Sequence, residues 1–264
     1  MKFKDKVAWI TGGSSGIGEE LAYAFTREGA KTILSSNVPE DLERVKNACL
    51  EMGGECAVIE FDLMDTEGIR KAAKQAIEQF GGIDVLINNG GISHRSLTLE
   101  TDIDFDRKIM EIDFFSYVII TKEVLPHMIE RGGGHIAATS SLTGLFGFPL
   151  RSAYAAAKHA VKGFFETIML EYREQNIFVT IAYPGRIKTN ISLHALTPDG
   201  KPQGTMDKSL AKGLPVDKCA KKYMNAIYRK RRSVLIGRWE LMGAHFKRFW
   251  PWFFYRFIGK FSTT

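Results

Sequence analysis

The sequence predicts an α/β fold: a doubly wound parallel sheet in a single domain, followed by an aromatic, basic C-terminal extension. Three observations carry the fold class. Short apolar, β-branched runs alternate with helical patterns along most of the chain. Several of those runs, IDVLIN and FVTIAY among them, read as continuous apolar runs rather than alternating ones, as strands buried on both faces do. A glycine-rich stretch, TGGSSGIG, joins the first strand to the first helix.

VAWIT at 7–11 opens the pattern as a strand, and 17–28 follows as a helix. A strand at 31–35 with a helix at 40–52 repeats the unit, and a strand at 56–61 with a helix at 67–80 repeats it again. A strand at 84–88, a long helix over 104–130 and a strand at 135–140 come next, then a helix at 154–175 and a strand at 178–182. Right-handed crossovers wind such units into a Rossmann-type sheet. Beyond Pro184 the pattern loosens, and 197–214, rich in Gly, Pro and Lys, reads as a mobile loop or short helical excursion. No repeat and no linker divides the chain, so 1–238 reads as one domain and 239–264 as its tail.

Composition agrees. The 264 residues are 45% hydrophobic and 25% charged, which excludes disorder and leaves ample apolar side chain for one core. Cys49, Cys56 and Cys219 match neither a disulfide framework nor a metal site, so a reducing compartment is expected. The opening MKFKDKVAWITGG runs straight into a strand, without the apolar region and cleavage site of a signal peptide. Charge is uneven: residues 201–264 carry fifteen Lys and Arg against three Asp and Glu. A solvated basic face, an acidic partner or a membrane surface are all compatible with that asymmetry.

Two motifs carry chemistry. In Thr11–Gly18 the glycines permit a tight turn and close approach to a pyrophosphate, while the following helix N-terminus offers unpaired N–H groups to that anion. Gly12, Ser14, Ser15, Gly16, Ile17 and Gly18 are therefore candidate dinucleotide ligands. The second motif is Tyr154-Ala-Ala-Ala-Lys158, whose four-residue spacing puts phenol and ammonium on one helix face. An ammonium beside a phenol favours the phenolate, which makes Tyr154 a candidate acid/base. Ser141, at the end of HIAATSS, can hold a substrate oxygen near that phenol.

Together these features resemble the short-chain dehydrogenase/reductase family over nearly the whole chain. The carriers are TGGSSGIG, Asp62, Asn88-Asn89-Gly90-Gly91, Ser141 thirteen residues before Tyr154, YAAAK, and Pro184-Gly185 followed by Thr189. The resemblance implies catalysis by Ser141, Tyr154 and Lys158, with Ser141 and Tyr154 also touching substrate. It places Asp62 and Leu63 beside the adenine and Asn89, Gly90 and Gly91 along the ribose. Ile187 and Thr189 fall beside the nicotinamide, and Lys158 on the nicotinamide ribose. It also implies a homodimer or homotetramer. Within the family, NNGGISHRSL, LPHMIERGGGHI and the Trp-rich tail resemble membrane-associated carbonyl reductases of lipophilic carbonyls such as steroids and retinoids.

One departure stands out: the helix asparagine that holds a water in the family's proton relay is replaced by Asp113, in IDFFS. A carboxylate can accept the same hydrogen bonds but adds negative charge near Lys158. Cofactor choice rests on Ser36 and Asn37, where NAD enzymes place an acid. The missing carboxylate favours NADP(H), with NAD(H) also compatible.

Between Trp239 and Phe261, ten aromatics interleave with Lys247, Arg248, Arg256 and Lys260. The uncharged run is too short to span a bilayer, so a membrane surface engaged through 239–261, a subunit interface or a wall of the substrate cleft are the readings. No recognition motif supports nucleic acid. The six histidines show no metal-ligand spacing, and His94 alone sits near enough to the NNGG loop to touch substrate. The expectation is a cytoplasmic enzyme, or one peripheral on the cytosolic face of a membrane. Its reaction interconverts a lipophilic carbonyl and alcohol, with its substrate loop at 190–215. The alternative is a weakly catalytic nucleotide-binding protein docked through its tail; a nucleotide-sugar epimerase would need a longer C-terminal substrate domain.

Overall fold

The computed structural model describes residues 1–198 and 200–258, with Phe257 described by its backbone alone. Seven parallel strands form one sheet in the order β3-β2-β1-β4-β5-β6-β7. They are β1 (Val7–Thr11), β2 (Lys31–Ser35), β3 (Cys56–Val58), β4 (Val85–Asn88), β5 (Gly134–Thr139), β6 (Ile177–Pro184) and β7 (Ser233–Ile236). The unbroken apolar runs are explained by the two cores. Trp9, Ile33, Leu86 and Ile136 face one side, under α3 (Thr66–Gln79), α5 (Ser116–Glu130) and α6 (Ser152–Glu171). Ala8, Ile10, Leu34 and Ile87 face the other, under α1 (Gly16–Arg27), α2 (Pro39–Glu51) and α8 (Val216–Tyr228). Successive residues of β1 thus serve opposite cores, the period-two geometry of a strand.

The sheet order reverses between β1 and β4, which pair in register through Ile10 and Ile87. Their C-terminal loops diverge there, and the crevice between them is where ligands bind in such sheets.

Three differences from the sequence expectation bear on the site. The helix expected over 104–130 is α4 (Ile103–Met110) and α5, joined by a π-helical turn at Glu111–Phe115. The third strand is regular only through Val58, although Ile59 and Phe61 still donate to Leu34 and Ser36 carbonyls at 3.0 and 3.2 Å. Beyond Pro184 the chain is more regular than expected. The loop contains a short helix, α7 (Lys208–Ala211), and α8 and β7 complete the sheet. On α8 the lysines face water while Cys219, Tyr223, Met224 and Ile227 are buried. The tail forms α9 (Met242–Phe249) and α10 (Pro251–Ile258), and Phe254 packs with Leu142 and Phe146. Lys260 and Phe261 lie outside the described residues.

Phe165 lies on α6, the helix that carries Tyr154 and Lys158, and is wholly buried in the core under that face of the sheet. Phe165→Ala is expected to cost about 3–5 kcal/mol, read as a lower denaturant midpoint with an unchanged slope.

Candidate active site

The glycine-rich turn folds as its sequence requires. Gly12 takes φ +63°, and a Cβ there would stand 2.6 Å from the Cα of Gly90. A side chain on Gly18 would strike the carbonyl of Gly12. Thr11 ties the two loops together: its Oγ1 accepts from Asn89 N at 3.0 Å and Gly90 N at 3.2 Å. Asn89 Nδ2 donates back to Thr11 O at 3.2 Å, and Thr139 on β5 donates to Asn89 Oδ1 at 3.2 Å. Ser15 caps α1 without a side-chain bond, so the first-turn N–H groups remain for an anion.

A cleft of about 670 Å³ runs from this turn. Every residue assigned above to the cofactor lines it except Gly18, whose hydrogen side chain serves close packing instead. At one end stand Ser36, Asn37, Asp62 and Leu63, and at the other Lys158, Ile187 and Thr189. Asp62 holds its own loop by accepting from Met64 N at 2.9 Å. Ser14 Oγ donates to Ser36 Oγ at 2.9 Å. Arg44, not singled out from the sequence, reaches the same end from α2: its Nη2 donates to Ser14 O at 3.1 Å, and Glu19 and Asp41 pair with it. The elongated cleft, the bare helix terminus and a loop that only glycine can occupy fit a nicotinamide dinucleotide.

Lys158 is buried beneath this cleft. Its Nζ donates to Thr139 O at 3.2 Å, lies 3.4 Å from Asp113 Oδ2, and sits 5.0 and 5.6 Å from the ring centres of Tyr117 and Tyr154. Burial by itself would pull the ammonium down, but Asp113, Tyr117 and Tyr154 outweigh it and hold it above its ordinary value. Asp113 sits inside the π-helical turn, a geometry that re-aims a side chain within a helix. Its Oδ1 accepts from Ile92 N at 2.8 Å, so it positions the NNGG loop as well as facing the lysine. Burial pushes its carboxyl up, against the pull of Lys158 and the Ile92 N–H. Oδ2 is buried without a hydrogen bond of its own. Ser141 Oγ accepts from Thr143 N at 3.2 Å, which leaves its proton free to be donated elsewhere.

A second cavity, of about 680 Å³, meets the first at Ser141 and Tyr154. Its walls are largely aromatic, from Phe146, Phe148, Trp239, Phe246, Trp250 and Phe254. Arg95 and Arg151 also reach it, and both converge on Asp207, which pairs with them at 2.7 and 3.5 Å. This buried trio clamps the loop before α7 against the segment after the NNGG turn. Burial and the neighbouring Arg95 pull the Arg151 guanidinium down to about 10, against Asp207. His94 lines neither cavity, contrary to its expected contact with substrate. It is buried, with its backbone bridged in parallel to Leu196, and burial followed by Arg95 and Arg151 pushes its imidazole down to about 4. Among the described residues no three His, Cys, Asp or Glu side chains are grouped to hold a metal.

The family model for short chain dehydrogenase matches residues 6–197. Dehydrogenase/reductase SDR family member 7B of Mus musculus is 39% identical over 263 residues, covering 97% of this chain and 80% of that protein. A short chain dehydrogenase/reductase from Burkholderia phymatum, solved in complex with NAD, superposes with a TM-score of 0.84 at 22% identity, over 94% of both chains. A 7α-hydroxysteroid dehydrogenase, solved with NADH and 7-oxo glycochenodeoxycholic acid, superposes at 0.69 with 27% identity, over 71% of this chain and 73% of that one. A family model spanning the sheet as far as the Thr189 loop, a relative matched over nearly the whole chain and solved structures of the same architecture place this chain in the short-chain dehydrogenase/reductase family.

Proposed function

We propose that this oxidoreductase interconverts a lipophilic carbonyl and its alcohol, with Tyr154 as general acid/base. The observation that carries the reading is that Ser141 and Tyr154 line both cavities, so a carbonyl in the apolar one meets them at the edge of the dinucleotide cleft. When bound, the dinucleotide supplies or accepts the hydride. In reduction, Tyr154 gives its phenolic proton to the substrate oxygen, while Ser141 donates a hydrogen bond to that oxygen and opposes the charge that develops on it. The buried Lys158 ammonium stabilises the phenolate left behind, and Asp113 keeps that ammonium charged. Oxidation runs the same steps backwards. The aromatic walls suit an extended apolar substrate such as a steroid, a retinoid or a lipid. A homodimer or homotetramer belongs to the same reading, and equilibrium sedimentation of the purified chain tests it.

For the cofactor we infer NADP(H) in preference to NAD(H). Ser36 and Asn37 present no acid at the end of β2, and the Arg44 guanidinium stands beside Ser14 and Ser36 in position to meet a 2′-phosphate. Titration of the two reduced cofactors, followed by energy transfer from tryptophan, should show tighter binding of NADPH. Arg44→Ala should weaken NADPH by roughly 10- to 100-fold, the worth of a charge-assisted hydrogen bond, and leave NADH unchanged. Equal losses for both cofactors would refute the assignment.

Tyr154→Phe should lower kcat for a lipophilic ketone by roughly 10²- to 10⁴-fold and leave NADPH affinity intact. Retained turnover would refute Tyr154 as the acid/base, whereas a parent chain that binds NADPH but turns over no carbonyl would favour the nucleotide-binding alternative. Asp113→Asn keeps an acceptor for the Ile92 N–H but removes the charge facing Lys158. Burial then pulls the Lys158 ammonium down without that carboxylate to oppose it, so the falling, alkaline limb of the pH–rate profile, where the ammonium is lost, should move acidward. An unmoved limb would show that Asp113 has no electrostatic part in catalysis.

A further inference from the structure

We propose that the outer face of α9 and α10 lies in the plane of an anionic lipid surface. On the reading above, the lipophilic substrate would then enter its cavity from the bilayer side. The two helices are short and follow one another through Trp250 and Pro251. On α10, Phe254 turns inward onto Phe146, with ring centres 5.0 Å apart. Trp252, Phe253 and Tyr255 are each more than half exposed, and so are Phe249 and Trp250 on the α9 side. A helix that only roofed a cavity would need one apolar side. Here the side facing water is aromatic too, and a contiguous patch of that kind marks a surface that something covers.

The composition of the patch says what covers it. Tryptophan and tyrosine are the side chains that settle at a membrane–water boundary, where the ring is apolar and its polar edge stays wet. Arg248 and Arg256 are exposed beside the rings, 5.9 and 5.8 Å from the ring centres of Phe249 and Trp252. No acidic residue follows Glu240 in the sequence. Aromatic side chains with interleaved cations and no acid are complementary to anionic headgroups over an apolar layer. A second copy of this chain is a poorer partner, because two-fold pairing of the face would set these arginines against their own equivalents with no carboxylate to answer them. No helix among the described residues is long and apolar enough to cross a membrane, so the contact lies in the plane.

Two features orient the surface with respect to the chemistry. Lys247 donates to the Leu145 carbonyl at 2.5 Å, which pins α9 beside the strand-end segment that carries Ser141. Phe246, Trp250 and Phe253 are exposed on the patch and also line the cavity that ends at Tyr154. The apolar layer and the apolar cavity are therefore continuous.

The test is co-sedimentation of the full chain with phosphatidylcholine vesicles, with and without phosphatidylserine. The chain should pellet with the anionic vesicles, bind the neutral ones far more weakly, and be released by high salt. Phe249, Trp252 and Tyr255 do not line the cavity. Replacing all three with serine should reduce vesicle binding about tenfold or more, without altering NADPH affinity. Arg248→Ala with Arg256→Ala should abolish only the preference for anionic vesicles. A chain that stays in the supernatant with both vesicles overturns the proposal, as does a serine variant that binds as well as the parent. Loss of oligomeric mass in that variant, without vesicle binding by the parent, would make the face a self-interface and equally overturn it. Vesicle binding needs no turnover, so failure here is distinct from failure of the oxidoreductase reading.

Discussion

A single buried ammonium organises this molecule. Lys158 stands under the sheet's C-terminal edge with a backbone carbonyl, a carboxylate and two phenol rings around it. A charge taken out of water is tolerated only where such partners are already fixed, and removing one leaves the others exposed to an uncompensated charge. Each partner comes from a different element: Thr139 ends β5, Asp113 occupies the π-helical turn, Tyr117 opens α5, and Tyr154 lies one turn back on α6. Strand, turn and both helices must therefore be in place together. The same set reaches the dinucleotide cleft through Asp113 and the Ile92 N–H, and through Thr139 and Asn89.

The parts of the site that were legible in the sequence are those whose residues are neighbours in the chain. A turn that must hold Gly12 and Gly18, and a tyrosine one helical turn from a lysine, declare themselves locally, and the parallel sheet followed from apolar runs that feed two cores. The π-helical turn was not legible, because one extra residue in a helix does not disturb the surrounding periodicity enough to be seen. Asp113 could be picked out only as a departure from a family pattern; its second bond, to Ile92, needed coordinates. The Arg95–Asp207 pair joins residues 112 apart in sequence, and nothing local connects them. The buried face of α8 did carry a readable signal, with Cys219, Tyr223, Met224 and Ile227 at helical spacing. It was masked by lysines that drew notice as charge. Arg44 sits on an ordinary amphipathic helix, and only its reach to Ser14 gives it a place in the cleft.

The apolar cavity is built on a different principle from the cleft beside the glycine-rich turn. The dinucleotide cleft is shaped by loops that leave the C-terminal ends of the strands, glycines among them, and Thr11, Ser35, Thr139 and Pro184 at those ends tie it to the continuous sheet. The apolar cavity borrows its walls from the segment after β5, from the clamped loop before α7 and from the two terminal helices. Those pieces are held by side chains, above all Asp207 between two arginines and Phe254 against Phe146. A change of side chains there alters the cavity and leaves the sheet untouched.

The two cavities share Ser141 and Tyr154 together with Ser93, Pro184, Gly185, Ile191 and Leu210, and that junction has a kinetic meaning. A compartment with one doorway forces its occupants to arrive and leave in sequence. On the reading proposed above, substrate and dinucleotide do not queue in one compartment: they face each other across the reacting groups where the two cavities meet.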